Sequence, residues 1–218
     1  MEKKGLFITF EGTEGAGKST ALVSVSDYLK EQGYKVLCLR EPGGTQLGEE
    51  IRGILKNPER SEPMCALSEL LLLYAARAQL VHCRIKPALL QGCIVLCDRH
   101  DLSSLAYQGG GRGLDPAVIT KVREAVLGDF VPDLTLLLDV PAELGMQRAH
   151  KRGGTDRFEQ ERIEFFERVC SAYREAAKVL PYVKVIDGTK TEAEVSAAAE
   201  AEIAKLLQAR GMLKEGAE

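Results

Sequence analysis

Two groups of residues in this chain point to phosphate chemistry. The first is the run Phe10 to Thr20, FEGTEGAGKST, whose spacing Gly12-x4-Gly17-Lys18-Ser19 fits the phosphate-binding loop pattern. Glycines let successive backbone N–H groups turn inward around phosphate oxygens, and a helix opening behind the loop adds its positive dipole end. Lys18 can then reach the β and γ phosphates and Ser19 can ligate magnesium. Gly12, Thr13, Glu14, Gly15, Ala16, Gly17, Lys18, Ser19 and Thr20 therefore form a candidate nucleotide cradle. The second group is cationic. Arg40 opens REPGGT and Arg99 sits in Asp98-Arg99-His100, each directly after an apolar run. Farther on, RAHKRGGTDR (Arg148 to Arg157) sets Arg148, Lys151, Arg152 and Arg157 against Asp156 around a glycine pair. Such a stretch reads as a basic lid, about 148–158, that closes on ATP, expels water and neutralises the transferring phosphoryl group.

The elements that position these residues follow from hydrophobic patterning. Leu6 to Phe10 (LFITF), KVLCL at 35–39, CIVLC at 93–97, LTLLL at 134–138 and VKVI at 183–186 are short apolar runs that predict buried strands. Helical segments lie between them; the first, KSTALVSVSDYLKEQG, stops at Gly33, and another has Asp115 as N-cap, Pro116 at N1 and Gly128 past its end. Strand and helix alternating in this way predict a P-loop NTPase-type α/β fold: a parallel five-stranded sheet with helices on both faces. The phosphate loop then stands between a strand and a helix. Arg40 and Arg99 emerge at the carboxyl ends of strands, the edge where open α/β sheets bind ligands.

With these motifs in view, the sequence closely resembles the thymidylate kinase family from about Gly5 to Asp187. The resemblance rests on FEGTEGAGKST, REPGGT, LLYAARAQL, DRHDLSSLAYQGGGRG and the lid with its following helix, DRFEQERIEFFERVCSAYREAA. It implies a nucleoside monophosphate kinase that moves the γ-phosphoryl group of MgATP to dTMP, giving dTDP and ADP. In such an enzyme Arg40 and Arg99 hold the acceptor phosphate near Pro42, and Glu14 contacts the sugar 3'-hydroxyl. Arg77, Ser103 and Gln108 surround the base, while Tyr107 packs on the sugar. Family members usually carry an aromatic ring four residues before the arginine; here that position is Leu73, an aliphatic floor for the base, with Tyr74 about 100° round the helix. No arginine lies between Gly12 and Lys18, so the chain resembles the bacterial subtype in which the lid supplies the catalytic arginine, Arg152 before Arg148. Catalysis then rests on positioning and charge neutralisation by Lys18, Arg99, the lid arginine and Mg2+, held by Ser19 and Asp98. Asp98 has a competing role, fixing Arg99 or a helix end.

The remaining composition is consistent with this reading. At 218 residues and a formal net charge of -3, the chain fits one domain, taken as 1–210 with a frayed tail at 211–218, and offers nucleic acid or anionic membrane no global attraction. There is no run of 18 apolar residues for a membrane span. Six cysteines (38, 65, 83, 93, 97 and 170) without CxxC or zinc spacing read mostly as buried reduced thiols of a cytoplasmic protein. A GTP-dependent switch would need an N/T-K-x-D tetrapeptide, which does not occur. A kinase for another nucleoside monophosphate remains the alternative. The helix 65–80, with Leu70, Leu71, Leu72, Leu73 and Tyr74 in succession, is apolar on more than one side. That pattern and the resemblance together imply a homodimer.

Overall fold

The computed structural model describes residues 4–59, 61–151, 153 and 156–213. Strands β1 (Phe7–Glu11), β2 (Val36–Arg40), β3 (Ile94–Asp98), β4 (Leu134–Asp139) and β5 (Val183–Asp187) form one sheet in the order β2-β3-β1-β4-β5. Every pairing is parallel. The sheet is the one expected, and each strand runs one residue past its predicted apolar end, or one past the Leu138 and Ile186 limits, to a charged residue: Glu11, Arg40, Asp98, Asp139 and Asp187. Apolar runs therefore end where the sheet's carboxyl edge begins.

Side chains alternate across the sheet as the pleat requires. Ile8, Phe10, Ile94, Leu96, Leu134, Leu136 and Leu138 face α1 (Lys18–Glu31) and α9 (Glu192–Ala209), which bury Val25, Leu29, Ala199 and Ile203 against them. Phe7, Val95 and Cys97 face the other way, towards α3 (Ala66–Leu80) and α6 (Pro116–Leu127). Leu137 and Val183 join that side under α8 (Ile163–Val179). Both faces are thus covered, which is why the strands read as continuous apolar runs. The remaining helices are α2 (Gln46–Lys56), α4 (Lys86–Leu90), α5 (Asp101–Ser104) and α7 (Ala142–Lys151), with π-helical segments at Val81–Ile85 and Leu105–Gly111. Helix ends follow local rules: Asp115 caps α6 by accepting from Ala117 N at 2.8 Å, and Thr191 with Glu194 makes a capping box on α9. Beyond Arg210, Met212 N donates to Leu207 O at 2.9 Å and its side chain packs on the core; positions 214–218 lie outside the described residues.

The thiols depart from expectation. All six are free, yet Cys38, Cys65 and Cys83 are exposed, Cys93 is half-buried, and Cys97 and Cys170 alone are buried. Cys38 lies on β2, the edge strand, which has a neighbour on one side only. Cys65 is the N-cap of α3, and Cys83 lies on the outer face of the π-helical segment. An apolar run does not guarantee burial at a sheet edge or a helix end. Among the described residues no helix is long and apolar enough to cross a membrane.

Candidate active site

The carboxyl edge of the sheet opens on a cavity of about 650 Å³. The phosphate loop forms one wall. Gly12 has φ 135° and a Cβ there would stand 2.4 Å from Leu138 O; Gly15 has φ 72° and its Cβ would meet Gly145 O of α7 at 2.1 Å. Both positions exclude any side chain. Gly17 caps α1, so the helix's free N–H groups point into the cavity. Lys18 folds back, donating from Nζ to Gly12 O at 3.1 Å and Thr13 O at 2.7 Å. Burial, reinforced by the nearby Arg99 charge, pulls its pKa down to about 8. Ser19 Oγ donates to Asp98 Oδ2 at 3.0 Å, bringing a hydroxyl and a carboxylate together beside the loop.

Three consecutive residues at the end of β3 diverge because Arg99 takes φ 70°, the left-handed region that side-chain-bearing residues rarely occupy. Asp98 meets Ser19. Arg99 turns towards the loop: Nη1 donates to Gly12 O at 2.9 Å, and Nη2 to Glu14 Oε1 at 2.8 Å and Tyr107 OH at 3.0 Å. His100 turns inward, its Nδ1 2.7 Å from Glu41 Oε1. Burial alone would raise the Glu14 pKa, but Arg99 and Lys18 together lower it. Arg40, paired with Glu49 at 3.0 Å, and Pro42 stand on the same wall.

At the far end, Arg77 is 1% exposed yet reaches the cavity wall. Its Nε donates to Glu41 Oε2 at 2.7 Å, Nη1 to Ser104 Oγ at 3.0 Å and Nη2 to His100 O at 3.0 Å. Burial opposes its charge, and the Glu41 carboxylate more than offsets that, raising its pKa while lowering that of Glu41. Leu73, one turn back, lines the cavity as expected. Tyr74 does not: it is 1% exposed in the core under α3, with the Arg77 guanidinium 4.4 Å from its ring centre. Gln108, in the second π-helical segment, donates from Nε2 to the buried Glu69 Oε1 at 2.6 Å, and its Oε1 has no hydrogen-bond partner among the described residues.

Ser103, expected beside the base, lines the cavity with its Oγ donating to Glu11 Oε2 at 2.6 Å and 3.2 Å from Arg99 Nη1; the serine that meets Arg77 is Ser104. The two are neighbours on a helical turn and point apart. Of the lid, Arg148 lines the cavity with Nη1 donating to Gly188 O at 2.7 Å. Arg152, the preferred lid arginine, lies outside the described residues. At the far end of that segment Asp156 pairs with Lys56, and Arg157 donates to Leu55 O at 2.8 Å and Glu69 Oε2 at 2.5 Å.

Several residues here have no forerunner in the motif reading. Glu11 accepts from His100 N at 2.7 Å, Ser103 Oγ and Tyr173 OH at 2.8 Å, and burial raises its pKa despite these partners. Glu41 and Phe158 also build the walls, Glu69 stands behind Gln108, and the cavity continues past Arg148 to Gly188, Lys190, Thr191 and Val195. The one available signal was a carboxylate at the end of an apolar strand, which marks Glu11, or inside an apolar helix, which marks Glu69.

Among known proteins, a family model described as thymidylate kinase matches residues 10–199. A protein named thymidylate kinase from Shewanella sp. (strain MR-4) is 54% identical over 190 residues, 87% of this chain and 90% of the relative. Another of that name, from Ectopseudomonas mendocina (strain ymp), is 50% identical over 206 residues, 94% of this chain and 98% of the relative. A third, from Shewanella amazonensis (strain ATCC BAA-1098 / SB2B), is 51% identical over 195 residues.

Proposed function

The chain belongs to the thymidylate kinase family, and from that premise we propose that it transfers the γ-phosphoryl group of ATP to dTMP, giving dTDP and ADP. The observation that carries this reading is the hydrogen bond from Arg99 Nη1 to Gly12 O, 2.9 Å. It sets a cation suited to an acceptor phosphate directly against the loop suited to the donor phosphates. A phosphate acceptor is already ionised near neutral pH, so the site needs no strong general base and no covalent intermediate. Lys18 and the N-terminus of α1 bind the donor phosphates, Arg40 and Arg99 hold the acceptor in line, and Arg152 or Arg148 neutralises charge on the group in transfer. Glu14, kept ionised by Arg99 and Lys18, accepts from the sugar 3'-hydroxyl, and Tyr107 packs on the sugar. The cavity beyond Arg148, towards Thr191 and Val195, takes the nucleoside of ATP.

Ser19 and Asp98 offer the hydroxyl and carboxylate oxygens that Mg2+ favours alongside nucleotide phosphates. Bound there, the ion would neutralise polyphosphate charge.

At the base end the groups match thymine. Arg77 offers donors for O4, and the unpartnered Gln108 Oε1 accepts from N3–H. A kinase for a different monophosphate is not favoured. Coupled ADP release with dTMP, dUMP, dCMP, dAMP and dGMP at matched concentration tests the assignment; faster turnover with any acceptor other than dTMP overturns it.

The single kinase domain spans 1–210 in this reading, with 148–158 as a lid. Amide protection over the lid is expected to rise when ATP analogue and dTMP bind together, because its sequence clusters Arg148, Lys151, Arg152 and Arg157 around a glycine pair, cations that suit the incoming phosphates. Hydrogen exchange that is equal with and without ligands counts against closure.

The same proposal covers the oligomer. Leu67 (45% exposed) and Leu71 (50%) sit one turn apart on α3, and Leu47 and Ile54 are exposed on α2, which packs on α3. Such an apolar face suits a second copy. Light scattering at micromolar concentration should give twice the 23.8 kDa chain mass, and a monomer mass removes the dimer. The six free thiols support a reducing cytoplasm.

A further inference from the structure

We infer that Glu69, which does not itself touch the base, decides which pyrimidine the site accepts by setting the orientation of the Gln108 amide. The inference rests on the dTMP reading above.

Gln108 is 1% exposed and carries both a donor and an acceptor at the tip of its side chain. Turned one way it presents a carbonyl oxygen to a base, turned the other way an NH2, and these two faces suit opposite base edges. What selects between them is the group behind. Glu69 is fully buried on α3, 0% exposed. Its Oε1 receives Gln108 Nε2 at 2.6 Å and Arg112 Nε at 3.3 Å, and its Oε2 receives Arg157 Nη2 at 2.5 Å. Glu69 accepts at all three contacts, two of them from guanidinium groups, so its oxygens face only donors. The amide must therefore turn NH2 towards Glu69, and its Oε1 is left as a buried acceptor with no partner among the described residues. An unpaired buried carbonyl is costly until a donor arrives. Thymine N3–H supplies one, whereas cytosine offers a lone pair at N3. Glu69, Leu73 and Arg77 follow at i, i+4 and i+8 on one face of α3, so the carboxylate and the two cavity residues are parts of one row. Arg157 comes from the foot of the lid, so the residue that orders the amide is also held by the closing segment.

The test compares kcat/KM for dTMP and dCMP in wild type, Glu69→Gln and Glu69→Asp. Glutamine at 69 can accept or donate, so the Gln108 amide is free to reverse. The dTMP to dCMP ratio is expected to fall about a hundredfold while KM for ATP stays within twofold. Aspartate still only accepts and should keep the ratio closer to wild type than glutamine does. A Glu69→Gln enzyme that loses activity equally on both substrates, or keeps the wild-type ratio, overturns the inference, since a merely structural carboxylate would behave so. A second measurement needs no variant: a neutron structure of the wild-type complex with dTMP, which tells a deuterated NH2 from an oxygen, should place Gln108 Oε1 against thymine N3 and the NH2 against Glu69. An NH2 facing thymine overturns the assignment. Wild type that fails to use dTMP at all sinks the proposed function instead, so the two failures are distinct.

Discussion

Replacing Lys18 with alanine is expected to lower kcat about a thousandfold or more, with the fold intact. The magnitude follows from removing one preorganised cation from a developing charge in a water-excluded site. The side chain contributes little to the core beyond its stem; its Nζ donors go to Gly12 O and Thr13 O of the loop. A second readout comes from its pKa of about 8, held there by burial and then by Arg99. At pH 8.5 Lys18 in the free protein is largely neutral, and polyphosphate oxygens restore its charge. ATP binding should therefore take up part of a proton between about pH 8 and 10, so ATP affinity declines as pH rises through that window. Titration calorimetry in two buffers of different ionisation enthalpy measures the uptake, and Lys18→Ala should abolish it. Ordinary turnover by that variant would remove Lys18 from the mechanism.

The second large effect is discrimination against dCMP. Cytosine would set N4–H2 donors against the Arg77 donors and an N3 lone pair against Gln108 Oε1. Sites built to hydrogen-bond a substrate group reject an analogue that leaves buried polar groups unpaired by about 10⁴ in kcat/KM. The burial of Arg77 and Gln108, each 1% exposed, places them in that regime, because water cannot repair the mismatch. The thymine methyl group is read by shape alone, so dUMP should lose only about tenfold to two-hundredfold. Steady-state kinetics with dTMP, dUMP and dCMP check both ratios; a dCMP ratio below that for dUMP would contradict the base-edge geometry.

Much of the architecture was legible because strand and loop obey short-range rules. The apolar runs marked all the strands, and Gly12, Gly17, Lys18 and Ser19 marked the loop, since hydrophobic burial and phosphate geometry both act on neighbouring residues. What escaped was polar and long-range. Each strand's last residue is charged, so a hydrophobic pattern stops one step short of the chemistry at Glu11. Ser103 and Ser104 cannot be told apart by spacing: which one meets Arg77 depends on the pitch of the turn after the left-handed Arg99. The carboxylates behind the site, Glu41 just after β2 and Glu69 on α3, are brought to Arg77 and Gln108 only by the fold. An aromatic wall residue also lacked a local cue: Phe158 lines the same cavity as Leu73 and packs edge-on against Tyr107 with ring centres 6.1 Å apart.

The near contact between two glycines, Gly15 in the phosphate loop and Gly145 in the first half of α7, has a mechanical consequence. A Cβ on Gly145 would come within 2.7 Å of Glu14 O, just as one on Gly15 would strike Gly145 O. With no side chain to act as a spacer on either backbone, the first turn of α7 and the loop behave as one block. In the lid closure proposed above, the swing of the segment has its fulcrum after Gly145, and its leverage on bound phosphates is set by the short arm from there to Arg148. Alanine at either glycine would act as a wedge, prising the arm away from the cradle before any substrate arrived.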